Sequence, residues 1–352
     1  MESIIHTFTI IPFFNEEENL INTCHSLGFG NGHHISENNH LILVNNNSTD
    51  GSKLIAEEMS KQQSIYLINE NVQGIVPARH AGNLFAKKIS HMFGVLDSNI
   101  LILQADADTI YSENYIAVIK KKAKEVGGNK IIDAQTTYPK SFLKDYPLFL
   151  SKCEVIDSAC ENFFGPIEED IILDDKSVSY LLKDYFYWGG HKREFNKNGD
   201  ELLAETTRMF ISAKALGATR VHTNLATVEH SIRNILKTPA LVYATAGFPR
   251  EESWISHFNN TINNGDLSWD RIKHIDDLRS LHLIAIFCIL PAHVQNSMKL
   301  KFQKNRITEF AINMLPNRSA NYNANLSGIL IEDGFKFIEH QQTILLRLLK
   351  AK

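Results

Sequence analysis

The chain lacks an excess of positive charge. Its 36 Lys and Arg stand against 40 Asp and Glu, a formal net charge of -4. Nothing here supplies the basic field that nucleic-acid binding draws on, and no nucleic-acid partner is expected. Cysteine is scarce. Cys24, Cys153, Cys160 and Cys288 show no metal-ligand spacing, so they read as free thiols of a reducing compartment. Long apolar runs are missing too. "LHLIAIFCIL" at 281–290 is too short to span a bilayer. The first residues, "MESIIHTFTIIPFFNEEENL", have no basic n-region and no small-residue cleavage site, unlike a signal peptide. There is no internal repeat and no low-complexity segment. The expected setting is cytoplasmic. What is present is ordinary for a soluble globular protein: 352 residues, 43% hydrophobic and 22% charged, enough for one large domain or two modest ones.

The first third alternates apolar strand patterns with helical ones. "HTFTIIP" (6–12), "HLILV" (40–44), "SIYLIN" (64–69) and "NILILQ" (99–104) read as strands. Between them "EEENLINTCHSLG" (16–28), "KLIAEEMSKQ" (53–62) and "VPARHAGNLFAKKIS" (76–90) read as helices. Strands that are continuously apolar and separated by helices predict a parallel sheet covered on both faces. Ligands of such sheets bind beyond the carboxyl ends of the strands. Each strand here empties into polar residues: Asn15 and Glu16, then Asn45 to Asp50, then Asn71 to Gly74, then Asp106 to Asp108. Four polar clusters on one edge describe a crevice, although any one alone is equally a solvated loop.

Further along, "KIIDAQTTYP" (130–139) and "TRVHTNLATVEH" (219–230) are strand-like, and "ELLAETTRMFISAKALG" (201–217) is a helix closed by Gly217. "PIEEDIILDDKS" (166–177) reads as a solvated face or mobile loop. Helices are expected from Asp276 to His293 and from Gly334 to Lys352, with apolar faces suited to core packing. Peripheral membrane contact and homo-oligomer contact through these C-terminal helices are the other uses of such faces.

Asp106 and Asp108 end the fourth strand at positions i and i+2. Two such carboxylates need water, arginine or a cation. Oxygen ligands suit Mg²⁺ or Mn²⁺, which typically takes one or two carboxylates plus substrate phosphates.

The order "IIPFFNEEENL", "LILVNNNSTDGS", "NVQGIVPARHAGN", "ILQADADTIYSENY" resembles the nucleotide half of a family 2 glycosyltransferase with the GT-A fold. "AETTRMFISAKALG" resembles that family's E-D helix, and Glu205 and Gly217 keep its interval. The resemblance covers about residues 8–235 and implies an α/β fold, a Rossmann-like, mostly parallel sheet flanked by helices, with a helical C-terminal extension. It implies a nucleotide-sugar-binding half at 1–110, an acceptor-binding half at 111–235 and the extension at 236–352. It also implies a metal-dependent, inverting transfer from a nucleotide-diphosphate sugar to an acceptor hydroxyl or amine. The acceptor is left as a glycan, a lipid-linked sugar or a small molecule.

By the same resemblance, Pro12, Asn15, Glu16, Asn45, Asn46, Gly74, Arg79, Ala105, Asp106 and Ala107 are expected at the donor. Asp106, Asp108 and His230 are expected at the Mn²⁺ or Mg²⁺, and Glu205 is expected as the base. In "YWGGHKREF", Trp188 with Gly189 and Gly190 is expected on the acceptor side, where an indole can stack on a sugar. The chain departs from the family's pattern at Asn45–Asn46 for an aspartate pair, at His80 for an asparagine and at Thr206 for an aspartate. Two other readings stand beside this one. A catalytically inactive nucleotide-sugar-binding protein would explain the departures. A sugar-phosphate nucleotidyltransferase would need a Gly-rich basic loop where the chain has the acidic "PFFNEEEN".

Overall fold

The computed structural model describes residues 6–30, 36–164, 173–195, 201, 204–245, 258–259, 274–283, 343 and 346–347. The chain divides into two compact units, Met1–Thr137 with Leu173–Ser231, and Tyr138–Ile172 with Ile232–Lys352.

The first unit begins as the apolar pattern dictates. β1 (His6–Phe13), α1 (Leu20–Ser26), β2 (Asn39–Asn45), α2 (Ser52–Met59), β3 (Ile65–Asn69), α3 (Ile75–Met92) and β4 (Ile100–Gln104) alternate. The four strands run parallel in the order β3-β2-β1-β4. Successive side chains of a strand face opposite ways, so a continuously apolar strand feeds two cores. Ile11, Leu41, Leu43, Leu101 and Leu103 pack with Leu20 and Cys24 of α1 and Ala56 and Met59 of α2. Phe8, Ile10, Ile42, Ile100 and Ile102 pack with Ala78 and Ala86 of α3 on the other face. α3 rides close to β1 because residue 82 is glycine. A Cβ there would lie 2.4 Å from Ile10 Cγ2.

The chain continues through β5 (Ile110–Tyr111), α4 (Tyr115–Val126) and β6 (Lys130–Thr137). It then enters the second unit as α5 (Lys140–Asp145) and α6 (Pro147–Phe164). It returns as β7 (Val178–Leu181), α7 (Leu182–Tyr187), α8 (Glu205–Ala215) and β8 (Thr219–Glu229). The whole sheet has the order β3-β2-β1-β4-β7-β6-β8-β5. β7 is antiparallel to both neighbours and β5 is antiparallel to β8, while β6 and β8 are parallel. The α/β, mostly parallel architecture expected from the motifs is the one adopted. Because Leu103 pairs with Ser179, the residues entering β7 lie at the carboxyl end of β4. Between β6 and β8, Arg220 pairs with both oxygens of buried Asp133 at 2.8 Å, and His222 Nδ1 reaches Oδ2 at 2.8 Å.

In the second unit the chain ends its description with α9 (Arg233–Lys237), α10 (Pro239–Ala244) and helical residues 275–283. Phe149 meets Tyr243 edge-on at 5.7 Å. Arg279 pairs with Asp157 at 3.0 Å and donates to the Tyr243 carbonyl at 2.8 Å. The expected helix at 334–352 and the part of 276–293 beyond 283 lie outside the described residues, except for the helical positions 343 and 346–347. Among the described residues no helix is long and apolar enough to cross a membrane.

Candidate active site

The strand-end loops of β1, β2 and β3 are tied to one another before any ligand arrives. Asn15, in the left-handed region at φ 55°, accepts from Thr49 N at 2.8 Å, and its own N–H donates to Ser48 Oγ at 3.2 Å. Glu16 N donates to Ser52 Oγ at 2.7 Å. Asn45 donates to Asn69 Oδ1 at 3.0 Å and accepts from Ser48 N at 3.1 Å. Asn46 donates to the carbonyls of Glu70 and Val72 at 2.9 and 2.8 Å and accepts from Gly74 N at 2.8 Å. Asn45 and Asn46 are both buried, and their amides are committed to neighbouring loop groups. Gly74 sits at φ 132°, with Glu201 Oε2 only 3.1 Å from where a Cβ would be, so the turn needs glycine. Pro12 is buried within β1.

Arg79 organises the centre. It sits on α3 and is 2% exposed. Its Nη2 donates to Asp106 Oδ1 at 2.9 Å. Its Nε lies 3.2 Å from Glu205 Oε1, at ion-pair distance. Its Nη1 is buried with no hydrogen-bond partner among the described residues. Burial works against the guanidinium charge, yet Asp106, Glu205 and Asp175 raise its pKa above the usual arginine value. The arginine expected at the donor phosphates is therefore held between carboxylates of β4's end and of α8's start. Glu205 opens α8 directly after Ala204, a non-glycine residue at φ 58°. Such a conformation costs on the order of 1–3 kcal/mol and clusters at functional sites.

A buried polar network lies behind these carboxylates. Gln104 Nε2 donates to Thr206 Oγ1 and to the Asp175 carbonyl, both at 3.1 Å, and Tyr180 OH donates to Gln104 Oε1 at 3.0 Å. His191 Nε2 is 3.4 Å from Thr206 Oγ1, and its Nδ1 is 3.3 Å from Tyr185 OH. His80 Nδ1 is 2.9 Å from the same hydroxyl. Two departures from the family's pattern, His80 and Thr206, are thus joined through Tyr185 and His191. Burial holds the His191 imidazole pKa well below its usual value, with Arg79 adding to it, so the ring is neutral. Tyr111 OH accepts from Asp106 N at 3.3 Å and donates to the Lys176 carbonyl at 2.9 Å.

Ala105 and Ala107 pack into the core, while Asp106 and Asp108 are partly exposed. His230 directly follows β8. Its N–H donates to the Thr137 carbonyl at 2.8 Å, and its Nε2 is 3.9 Å from Asp174 Oδ2. Burial, with Lys176 adding, pushes its pKa down to about 4. Among the described residues no group of three or more His, Cys, Asp or Glu could hold a metal ion. The all-oxygen pair Asp106 and Asp108 still fits Mg²⁺ or Mn²⁺, because such an ion takes its remaining ligands from phosphate and water.

Trp188 belongs to the core. It is 3% exposed, donates to Asn129 Oδ1 at 2.9 Å and meets Tyr180 edge-on. The stacking platform expected there is closed by packing, and Gly189 and Gly190 form the turn after α7. Sequence reasoning passed over Asp175, Gln104, Tyr111 and His191. For Asp175 one signal existed: the acidic pair Asp174–Asp175, separated only by Lys176 and Ser177 from the apolar run "VSYLL", much as Asp106 stands just past the end of a strand.

The family model described as Glycosyl transferase family 2 matches residues 9–148. Comparison with curated proteins gives no match. Among solved structures, the chain is similar to TarS 1–349 from S. aureus, at 11% identity over 99% of this chain and 92% of that one, with a TM-score of 0.48. It is also similar to the mannosyltransferase PcManGT from Pyrobaculum calidifontis in complex with GDP-Man and Mn²⁺, at 12% identity over 99% of this chain and 83% of that one, with a TM-score of 0.49. Residues 9–148 thus match the glycosyl transferase family 2 model, and that match supports an enzyme of the glycosyltransferase class.

Proposed function

We propose that the chain moves a sugar from a nucleotide-diphosphate sugar to an acceptor hydroxyl or amine, with inversion at the anomeric carbon. The observation that supports this best is the pair of carboxylates, Asp106 and Glu205, held on the buried guanidinium of Arg79 in a chain whose residues 9–148 match the family 2 model. One carboxylate belongs to the donor side and the other to the acceptor side of the displacement.

The loops after β1, β2 and β3, with Asn15, Asn45, Asn46 and Gly74, receive the nucleoside at the carboxyl edge of the parallel strands. Asp106 and Asp108 are the residues that would hold a divalent cation. When bound, that cation supplies Lewis-acid neutralisation of the leaving group's charge. Glu205 accepts the acceptor's proton as the new bond to the anomeric carbon forms. The diphosphate leaves with the electrons of the bond that breaks. Arg79 fixes the separation of the two carboxylates, so neither must be ordered during the reaction. The acceptor class stays a glycan, a lipid-linked sugar or a small molecule.

The test is thermal unfolding against a panel of nucleotide sugars with and without Mn²⁺. A ligand at about a hundred times its dissociation constant adds roughly 2.7 kcal/mol to stability. A shift with at least one diphosphate sugar, larger with Mn²⁺, is expected. No shift with any donor would overturn the reading.

A further inference from the structure

The loop that carries Asp106 and Asp108 is held by groups outside the pair. Residues 105–109 alone join β4 to β5, and Tyr111 of β5 reaches back to the loop it closes. Its hydroxyl accepts from Asp106 N at 3.3 Å and donates to the Lys176 carbonyl at 2.9 Å. A phenol has one proton to give, a backbone N–H only donates and a carbonyl only accepts, so the direction of both bonds is fixed. Tyr111 is 4% exposed and meets Tyr115 edge-on at 4.8 Å.

The same loop is tied at further points along its backbone. Ala105 N donates to the Ile10 carbonyl of β1 at 3.1 Å. Thr23 Oγ1 donates to the Ala107 carbonyl at 2.9 Å, and Thr23 and Ala107 are both buried. Tyr111 N donates to Ser26 Oγ at 3.1 Å. Thr23 and Ser26 stand three positions apart on α1, so one face of that helix supplies both ties. Asp106 is therefore held twice. Arg79 Nη2 binds its Oδ1 at 2.9 Å, and Tyr111 binds its peptide N–H. The side chains of Asp106 and Asp108 remain partly exposed on this fixed backbone.

Carboxylates bind a cation more tightly when outer partners orient them before it arrives. We propose that Tyr111 and Thr23 are positioning residues for the divalent cation. Tyr111 fixes the peptide of Asp106, and Thr23 fixes the peptide between the two aspartates. This rests on the reading of Asp106 and Asp108 as the cation's ligands.

The test compares hydroxyl deletions of like size. Tyr111→Phe and Thr23→Val each remove one tie to the aspartate loop. Tyr115→Phe removes a neighbouring buried hydroxyl, which donates to the Ser177 carbonyl at 3.4 Å and leaves that loop alone. Mn²⁺ is titrated in the presence of UDP and, separately, of GDP, with the bound ion read by electron paramagnetic resonance. Tyr111→Phe is expected to lower Mn²⁺ affinity about tenfold, with metal-free nucleotide affinity by calorimetry unchanged. The KM for Mn²⁺ in the transfer assay rises in step, while kcat at saturating Mn²⁺ changes little. Thr23→Val is expected to act in the same direction. Tyr115→Phe is expected to lower the melting temperature and keep wild-type Mn²⁺ affinity. Wild-type Mn²⁺ affinity in Tyr111→Phe, or an equal loss in Tyr115→Phe, would overturn the inference. If Tyr111→Phe gives no cooperative melt, Thr23→Val decides in its place. Mn²⁺ binding that is the same in the wild type and in Asp106→Ala sinks the cation reading itself. Binding lost in Asp106→Ala and kept in Tyr111→Phe sinks only the role of Tyr111.

Discussion

Arg79 Nε lies 3.2 Å from Glu205 Oε1, and the two side chains are 3% and 6% exposed. They are 126 positions apart in the sequence. Breaking a buried ion pair by removing one partner is far more damaging than never having had it, because the surviving charge stays buried. Arg79→Met leaves Glu205 and Asp106 without their shared cation. The expected cost is about 3–5 kcal/mol, read from the denaturant midpoint.

Glu205→Gln preserves shape and removes the proton acceptor. It is expected to leave donor affinity intact and lower kcat by about a hundred- to ten-thousand-fold. Single-turnover kinetics beside calorimetry separates the two quantities. Turnover at the wild-type rate would place the base elsewhere.

Asp106→Ala and Asp108→Ala are expected to abolish the Mn²⁺-dependent part of nucleotide-sugar binding while keeping the fold. Calorimetry with and without Mn²⁺ reads this directly. Metal-independent binding that is unchanged in both variants would exclude the cation role.

Asn46 spends its two N–H groups on the carbonyls of Glu70 and Val72. Asn46→Asp faces those carbonyls with an acceptor, so both lose their donor. A loss of about 1–3 kcal/mol is expected, together with faster proteolysis within residues 70–74. A gain in affinity for uracil or guanine donors at unchanged stability would instead mean that the amide is a base reader and not a loop clamp.

His40 has both ring nitrogens buried without a hydrogen-bond partner, stacked on Phe8 at 4.5 Å and on Phe93 at 5.5 Å. Burial first, then His6 and Lys120, push its pKa down to about 4. The unfolded chain takes the proton near 6.5 and the folded chain does not. The full stability is therefore present above about pH 6.5 and is lost as the pH falls toward about 4. Within that window the slope from this residue approaches about 1.4 kcal/mol per pH unit. His40→Leu is expected to flatten the acid side of a stability–pH curve and leave the neutral side in place.

The parts of the fold that could be read in advance are those whose reasons are local. β1 to β4 are continuous apolar runs broken by polar residues, and α3 has a clear apolar face, so their order and parallel pairing follow from pattern. β7 has four residues and reaches the middle of the sheet after a long excursion. Nothing local to "VSYL" tells a central strand from a buried turn. The site divides the same way. Asp106 and Asp108 were legible as a strand end. The ties of Arg79 to residues 106 and 205 were not, because charge alone says phosphate, and only the packing of α3 shows which anions it meets. Trp188 invited a stacking role by its type, and its ring went to the core because α7 turns it against Tyr180.

Gly82 lies three residues beyond Arg79 on α3, with Ile10 pressed where its side chain would be. The height of that helix above the sheet is therefore a machined tolerance. Arg79 projects from the same rigid rod, so the gap at Gly82 sets how far the guanidinium extends toward Asp106 and Glu205. A single methyl at position 82 would act as a shim, lifting the rod and drawing the cation back from two carboxylates it does not itself touch. The alignment of the site is thus gauged one helical turn away from it, by the thickness of a side chain that is absent.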